Sequence, residues 1–136
     1  MSTGVSNVKI KDYSQEVLDE LEDAVKRALT KCGMVAEEYA ADLCPVDTGL
    51  LRNSITYALS GEPAAISSYK ADRGDKSGTY SGSAPDMDSG AAVYIGTNVE
   101  YAEIVELGKR KQPYLEPAVA NHAAKYKSII KSELGG

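Results

Sequence analysis

Apolar residues recur at steps of three and four from Ser14 to Leu43. Val17, Leu21, Ala24, Val25, Ala28, Cys32, Val35, Ala36, Tyr39 and Leu43 draw one stripe, the pattern of a helix with a buried face. Asp12 or Ser14 suits its start, and Glu16, Asp19 and Glu20 complement the positive end of the helix dipole. Gly33 inside the stripe marks a bend or a close contact. Pro45 ends the run, because the residue before a proline is pushed out of helical geometry. About thirty helical residues span about 45 Å, more than a domain of this size requires, so part of the helix is expected to pack on a neighbour. Residues 1–13 read as a loose N-terminal arm, with Val8 and Ile10 allowing an edge strand.

After the helix the period changes. Asp47-Thr48-Gly49 reads as a turn whose side chains can bond nearby backbone N–H groups. Ser54 to Leu59 alternates and contains Ile, Thr and Tyr, so it reads as a strand, and Ala91 to Gly96 reads as its returning partner. Between them, residues 60–90 are rich in Gly, Ser, Asp, Lys and Ala, without period. The expectation is one long β-hairpin with a flexible loop at 60–90. Glu100 to Leu107 reads as a short helix stopped by Gly108, and Lys109 to Gln112 as a polar loop. Pro113-Tyr114-Leu115-Glu116-Pro117-Ala118 opens a last helix with the stripe Val119, His122, Ala123, Tyr126, Ile129, Ile130 and Leu134. The predicted fold is a single α+β domain over residues 1–136. It has a long N-terminal helix, a small antiparallel sheet carrying the hairpin, a short helix and a C-terminal helix.

Composition narrows the function classes. A chain of 136 residues can bury one real core without staples. It has nine Tyr but no Phe or Trp, so every aromatic ring carries a hydroxyl that wants a partner, which suits wet surfaces and contacts between chains. The net charge of −5 is opposite to that of a bulk nucleic-acid binder, and Lys109-Arg110-Lys111 is too short to count as a basic patch. No apolar run is long enough for a membrane span, and Met1 to Asp12 lacks the apolar core of a signal peptide, so synthesis in the cytoplasm is expected. Cys32 and Cys44, twelve residues apart on one helix, would sit about 18 Å apart, too far to bridge, so reduced thiols are expected.

Three motifs suggest chemistry and are better read as structure. Asp47-Thr48-Gly49 spells the tripeptide of dimeric aspartic proteases, where two carboxylates share a proton. That chemistry needs the tripeptide in an all-β chain, and here it follows a helix and a proline. Arg73-Gly74-Asp75 spells an adhesion tripeptide, which three residues match readily by chance. His122 is the sole histidine, on the apolar side of the last helix. With no second His and no paired Cys it has no zinc ligand set, and no G-x-S-x-G elbow supplies a serine nucleophile. No catalytic residue, cofactor or metal is expected.

The remaining motifs gain weight from their order: P-V-D-T-G-L-L-R-N-S-I, a returning strand, Y-A-E-I-V-E-L-G, then Q-P-Y-L-E-P-A. In this arrangement, from about Leu18 to Leu134, the chain resembles a family of tailed-bacteriophage proteins, the gene-product-ten-like group of lambdoid phages. The residues that carry the resemblance are Pro45, Asp47, Thr48, Gly49, Leu51, Arg52, Ser54, Tyr101, Ala102, Glu106, Gly108, Pro113, Tyr114, Leu115, Pro117 and Ala118. Tyr114, Leu107 and Lys109 stand where the family often has Phe, an aromatic and Thr. The resemblance implies a virion structural subunit, a tail-completion or neck protein at the head–tail junction. It would form a homo-oligomeric ring, expected to hold six copies, that caps the tail tube and docks to the head connector. DNA would be passing cargo only. In solution the resemblance leaves both a monomer and a preformed oligomer open. The alternatives are a minor tail protein elsewhere in the tail and, in another class, a dimeric aspartic protease using Asp47. The hairpin around Tyr69 and Tyr80 is expected to reach the next subunit, and the acidic balance suits a channel through which DNA passes. Arg52 and Glu106, the charged members of the two best motifs, are expected to pair.

Overall fold

The computed structural model describes residues 3–87, 90–99, 101–108 and 112–135, with side chains omitted at 3–15, 103 and 104. Its first element is α1, Thr3–Leu43, a helix of 41 residues. The arm expected at residues 1–13 is therefore helical from Thr3 onward. No proline lies between Thr3 and Ser14, Gly4 falls only in the first turn, and Asp12 and Ser14, good caps by type, stand within the helix.

The buried side of α1 is built from small residues at every fourth position. Ala24, Ala28, Cys32, Ala36 and Ala40 are all buried, and Cys44 continues the row just past the helix. Steps of four keep them on one face, and their size lets other elements approach closely. Gly33 sits at the closest approach: a Cβ there would lie 2.7 Å from the Tyr57 ring and 2.9 Å from Val93. The close contact, one of the two expectations for Gly33, is what the structure has.

α1 lies on an antiparallel pair, β1 (Thr56–Leu59) and β4 (Val93–Gly96), in register from Thr56 opposite Gly96 to Leu59 opposite Val93. The long hairpin expected from the sequence is present. Its connection is more structured than expected. A second antiparallel pair, β2 (Ser68–Lys70) and β3 (Ser77–Thr79), forms inside the 60–90 stretch. Further backbone bonds join Ala65 N–H to Tyr57 O (2.9 Å) and Ala84 N–H to Glu62 O (2.8 Å).

Before β1, a one-turn helix that the sequence reading did not anticipate, α2, spans Leu50–Ser54. After β4 come α3 (Ala102–Leu107), α4 (Leu115–Ala120) and α5 (Ala123–Glu133). The single C-terminal helix expected is thus two helices, parted at Asn121 and His122. The break turns the His122 ring onto Tyr39 of α1, stacked at 3.5 Å between ring centres. α4 and α5 both pack on α1. The core gathers Ala40, Cys44, Leu51, Ile55, Ala102, Tyr114 and Ala118, drawn from four helices and the segments between them.

Candidate functional site

The motif residues converge on that core. Pro45 stops α1, and the chain reverses through Asp47-Thr48-Gly49. Thr48 Oγ1 accepts from Leu50 N–H at 3.3 Å, the turn expected. Gly49 takes φ +88°, and a Cβ there would sit 2.3 Å from Asp72 Oδ2, so both backbone shape and space call for glycine. The turn is docked on the second hairpin. Thr48 O accepts from Asp72 N–H (2.8 Å) and Arg73 N–H (3.0 Å), and Asn53 Nδ2 donates to Lys70 O and Asp72 Oδ1, both at 2.9 Å. Arg73 donates to Asp47 O, and the Asp47 carboxylate, 98% exposed, lies 3.6 Å from its guanidinium.

α2 turns Leu50, Leu51 and Ser54 inward and leaves Arg52 exposed. Ser54 Oγ, fully buried, donates to Leu51 O (2.6 Å) and shares a 2.5 Å bond with Thr97 Oγ1. Tyr80 OH donates to Ser54 O and Tyr69 OH to Asn98 Oδ1, each at 2.5 Å. Both tyrosines of the hairpin are thus engaged within their own chain. Asn53, Asp72, Thr97 and Asn98 were missed from the sequence. Thr97-Asn98 directly after a strand was the signal that turn chemistry offered.

The second and third motifs meet through Glu106. Its Oε1 accepts from Tyr114 N–H (3.1 Å) and Leu115 N–H (2.7 Å), two donors at the start of α4 that have no helical partner. The expected Arg52–Glu106 pair is absent. The one-turn helix faces Arg52 away, into an open groove with Glu38 and Asp42, and the Glu106 carboxylate is occupied. Tyr114 and Ala118 are fully buried, and Ala118 O accepts from Tyr126 OH at 2.5 Å. Burial pushes the Cys44 thiol up to about 11; nearby Arg52 draws it down and Glu106 adds to the rise. Burial also raises the Tyr114 phenol and the Cys32 thiol. Tyr101 and Pro113 stay exposed, and Pro45, Gly108, Leu115 and Pro117 are half-buried. Glu100 and Lys109-Arg110-Lys111 lie outside the described residues.

This constellation holds the fold together. The ring of His122 is stacked on Tyr39. Among the described residues no cluster of three or more His, Cys, Asp or Glu could hold a metal ion, and no helix is long and apolar enough to cross a membrane. Exposed apolar residues are spread over the surface, among them Met34, Val46 and Leu107, and two stretches of apolar surface stand out. Val17, Leu18 and Leu21 stand out from α1. A groove of about 180 Å³ runs between α1, β4 and the C-terminal helices.

Residues 9–108, about three-quarters of the chain, match the family model HK97-gp10_like, described as "Bacteriophage HK97-gp10, putative tail-component". No curated protein and no solved structure matches.

Proposed function

Since the chain belongs to the HK97-gp10-like family of bacteriophage tail components, we propose that it is a structural subunit of the head–tail junction. In this reading several copies close into a ring, six by expectation, which caps the tail tube and docks to the connector of the DNA-filled head. The family match over residues 9–108 carries the reading. The folded chain supports it in a second way: the motif residues Leu51, Ala102, Tyr114 and Ala118 build the core, with Leu115 packed against it, while Asp47, Arg52, Tyr101 and Pro113 face outward, where partners can meet them. The closed ring follows from the need to leave a passage for DNA, and head-to-tail contacts between copies produce rings when the rotation closes.

The protease alternative loses its premise in an α+β fold. Asp47 projects into solvent beside Arg73, and a protease dyad needs two carboxylates forced together away from water. The test is the particle. Phage made without this protein should accumulate filled heads and separate tails, and an antibody label on complete particles should fall at the neck. Label at the tail tip or along the tube assigns the chain to another part of the tail. Loss of a virion cleavage in Asp47→Ala particles would restore the protease.

A further inference from the structure

Two apolar features of the surface fit one another. The first is a ridge on α1. Val17, Leu18 and Leu21, which are 62%, 53% and 50% exposed, fall within one sector of the helix. Every residue from Glu16 to Asp23 is exposed. Glu20 and Glu22 border the ridge, Glu16, Asp19 and Asp23 carry acidic charge around the rest of the helix, and no Lys or Arg occurs from Ser14 to Val25. The second is the groove, walled by Leu29, Val93, Tyr94, Val119, Tyr126 and Ile130. On α5, the exposed Lys127 and Lys131 each follow a wall residue, Tyr126 and Ile130, and share one side of the helix. The single carboxylate of α5, Glu133, is held by Lys31 and Arg27.

The ridge cannot enter the groove of its own chain. Leu18 and the wall residue Leu29 stand on one uninterrupted helix, about 16 Å apart along its axis. A second copy can supply what the first cannot. We propose that the acidic, apolar ridge of one subunit seats in the lysine-flanked apolar groove of the next, an inference that rests on the ring reading above. The two surfaces differ, so the contact is head-to-tail and leaves one free ridge and one free groove at each step until a ring closes. The complementary charges fix which way round the partner lies.

The full chain with Leu18→Cys and Val119→Cys tests this directly. Both positions are about half exposed, whereas the native Cys32 and Cys44 are buried. With a short bis-maleimide, the double variant should give a ladder of dimers, trimers and higher species ending at one closed size. Each single variant alone should give none, and an equal mixture of the two should stop at dimers. Cross-linking by Leu18→Cys alone would mean that two α1 ridges pair symmetrically, and would overturn the proposal. So would the absence of cross-links in the double variant at every concentration. As a second measurement, Leu18→Asp with Leu21→Asp should keep the melting temperature and lose self-association by tenfold or more in light scattering. Normal incorporation of that variant into tails would overturn the contact while leaving the tail assignment standing. Absence of the wild-type protein from particles would remove the assignment itself.

Discussion

At the residue scale, the charges in the motifs have unequal jobs. Glu106 satisfies two backbone donors at the start of α4, and Arg52 faces water. Glu106→Ala should therefore cost about 1–3 kcal/mol in urea unfolding, the penalty for stranding buried donors, and Glu106→Gln should recover most of it because one oxygen acceptor remains. Arg52→Ala should stay within about 0.5 kcal/mol of wild type. The sequence marked both residues and paired them wrongly. A glutamate's partner depends on which N–H groups the tertiary fold leaves orphaned, and spacing along the chain does not carry that. A second prediction concerns pH. The Cys44 thiol, ordinarily at 9.0, is pushed to about 11 in the folded chain, so the folded state keeps its proton longer than the unfolded state does. Its contribution to stability is whole below about pH 9 and is lost as pH rises towards 11. Urea midpoints should fall over that window. Cys44→Ala should make the fall shallower without abolishing it, since burial raises Cys32 and Tyr114 in the same sense.

At the element scale, helix α1 was readable because its period runs through many turns, and the β1–β4 pair was readable because its strands alternate. The second hairpin was not. Its strands are three residues long and offer only Tyr69 as an apolar signal, and what positions them is hydrogen bonding to Thr48, Ser54 and Asn98. α2 escaped for a similar reason, since one turn is too short to show a period. The start of α1 was misread because a residue type that suits a helix cap can also stand inside a helix. Gly33 tests the packing of this element. Alanine favours helices over glycine by up to about 1 kcal/mol. Here the added methyl would press on Tyr57 and Val93, and overpacking costs about 1–3 kcal/mol. Gly33→Ala should thus lower stability overall, a sign opposite to its helix propensity, as thermal unfolding can measure.

At the scale of the whole molecule, the acidic ridge and the lysine-flanked groove give self-association a salt dependence. Raising NaCl from 0.1 to 1 M shortens the screening length from about 10 to 3 Å. Association by sedimentation should weaken several-fold over that range; a contact made by apolar burial alone would hold or tighten. The molecule's class and core were written in its motifs, because burial selects residue types that stand out in order. Its outward contacts were not, because an exposed Leu18 and a buried leucine look alike in a string of letters.

The row of small residues along α1 has one more consequence. Ala24, Ala28, Cys32, Ala36 and Ala40 repeat with the period of four, so a slide of one repeat, about 6 Å, would present almost the same surface to the strands. Such a rail has many equivalent stops. Gly33 is the notch that distinguishes one of them, because the described helix has no other glycine between Thr30 and Leu43 to receive the Tyr57 ring. A single absent side chain indexes a helix of 41 residues against its sheet. It thereby sets how far the ridge at Val17 to Leu21 projects and what span a neighbouring subunit must meet.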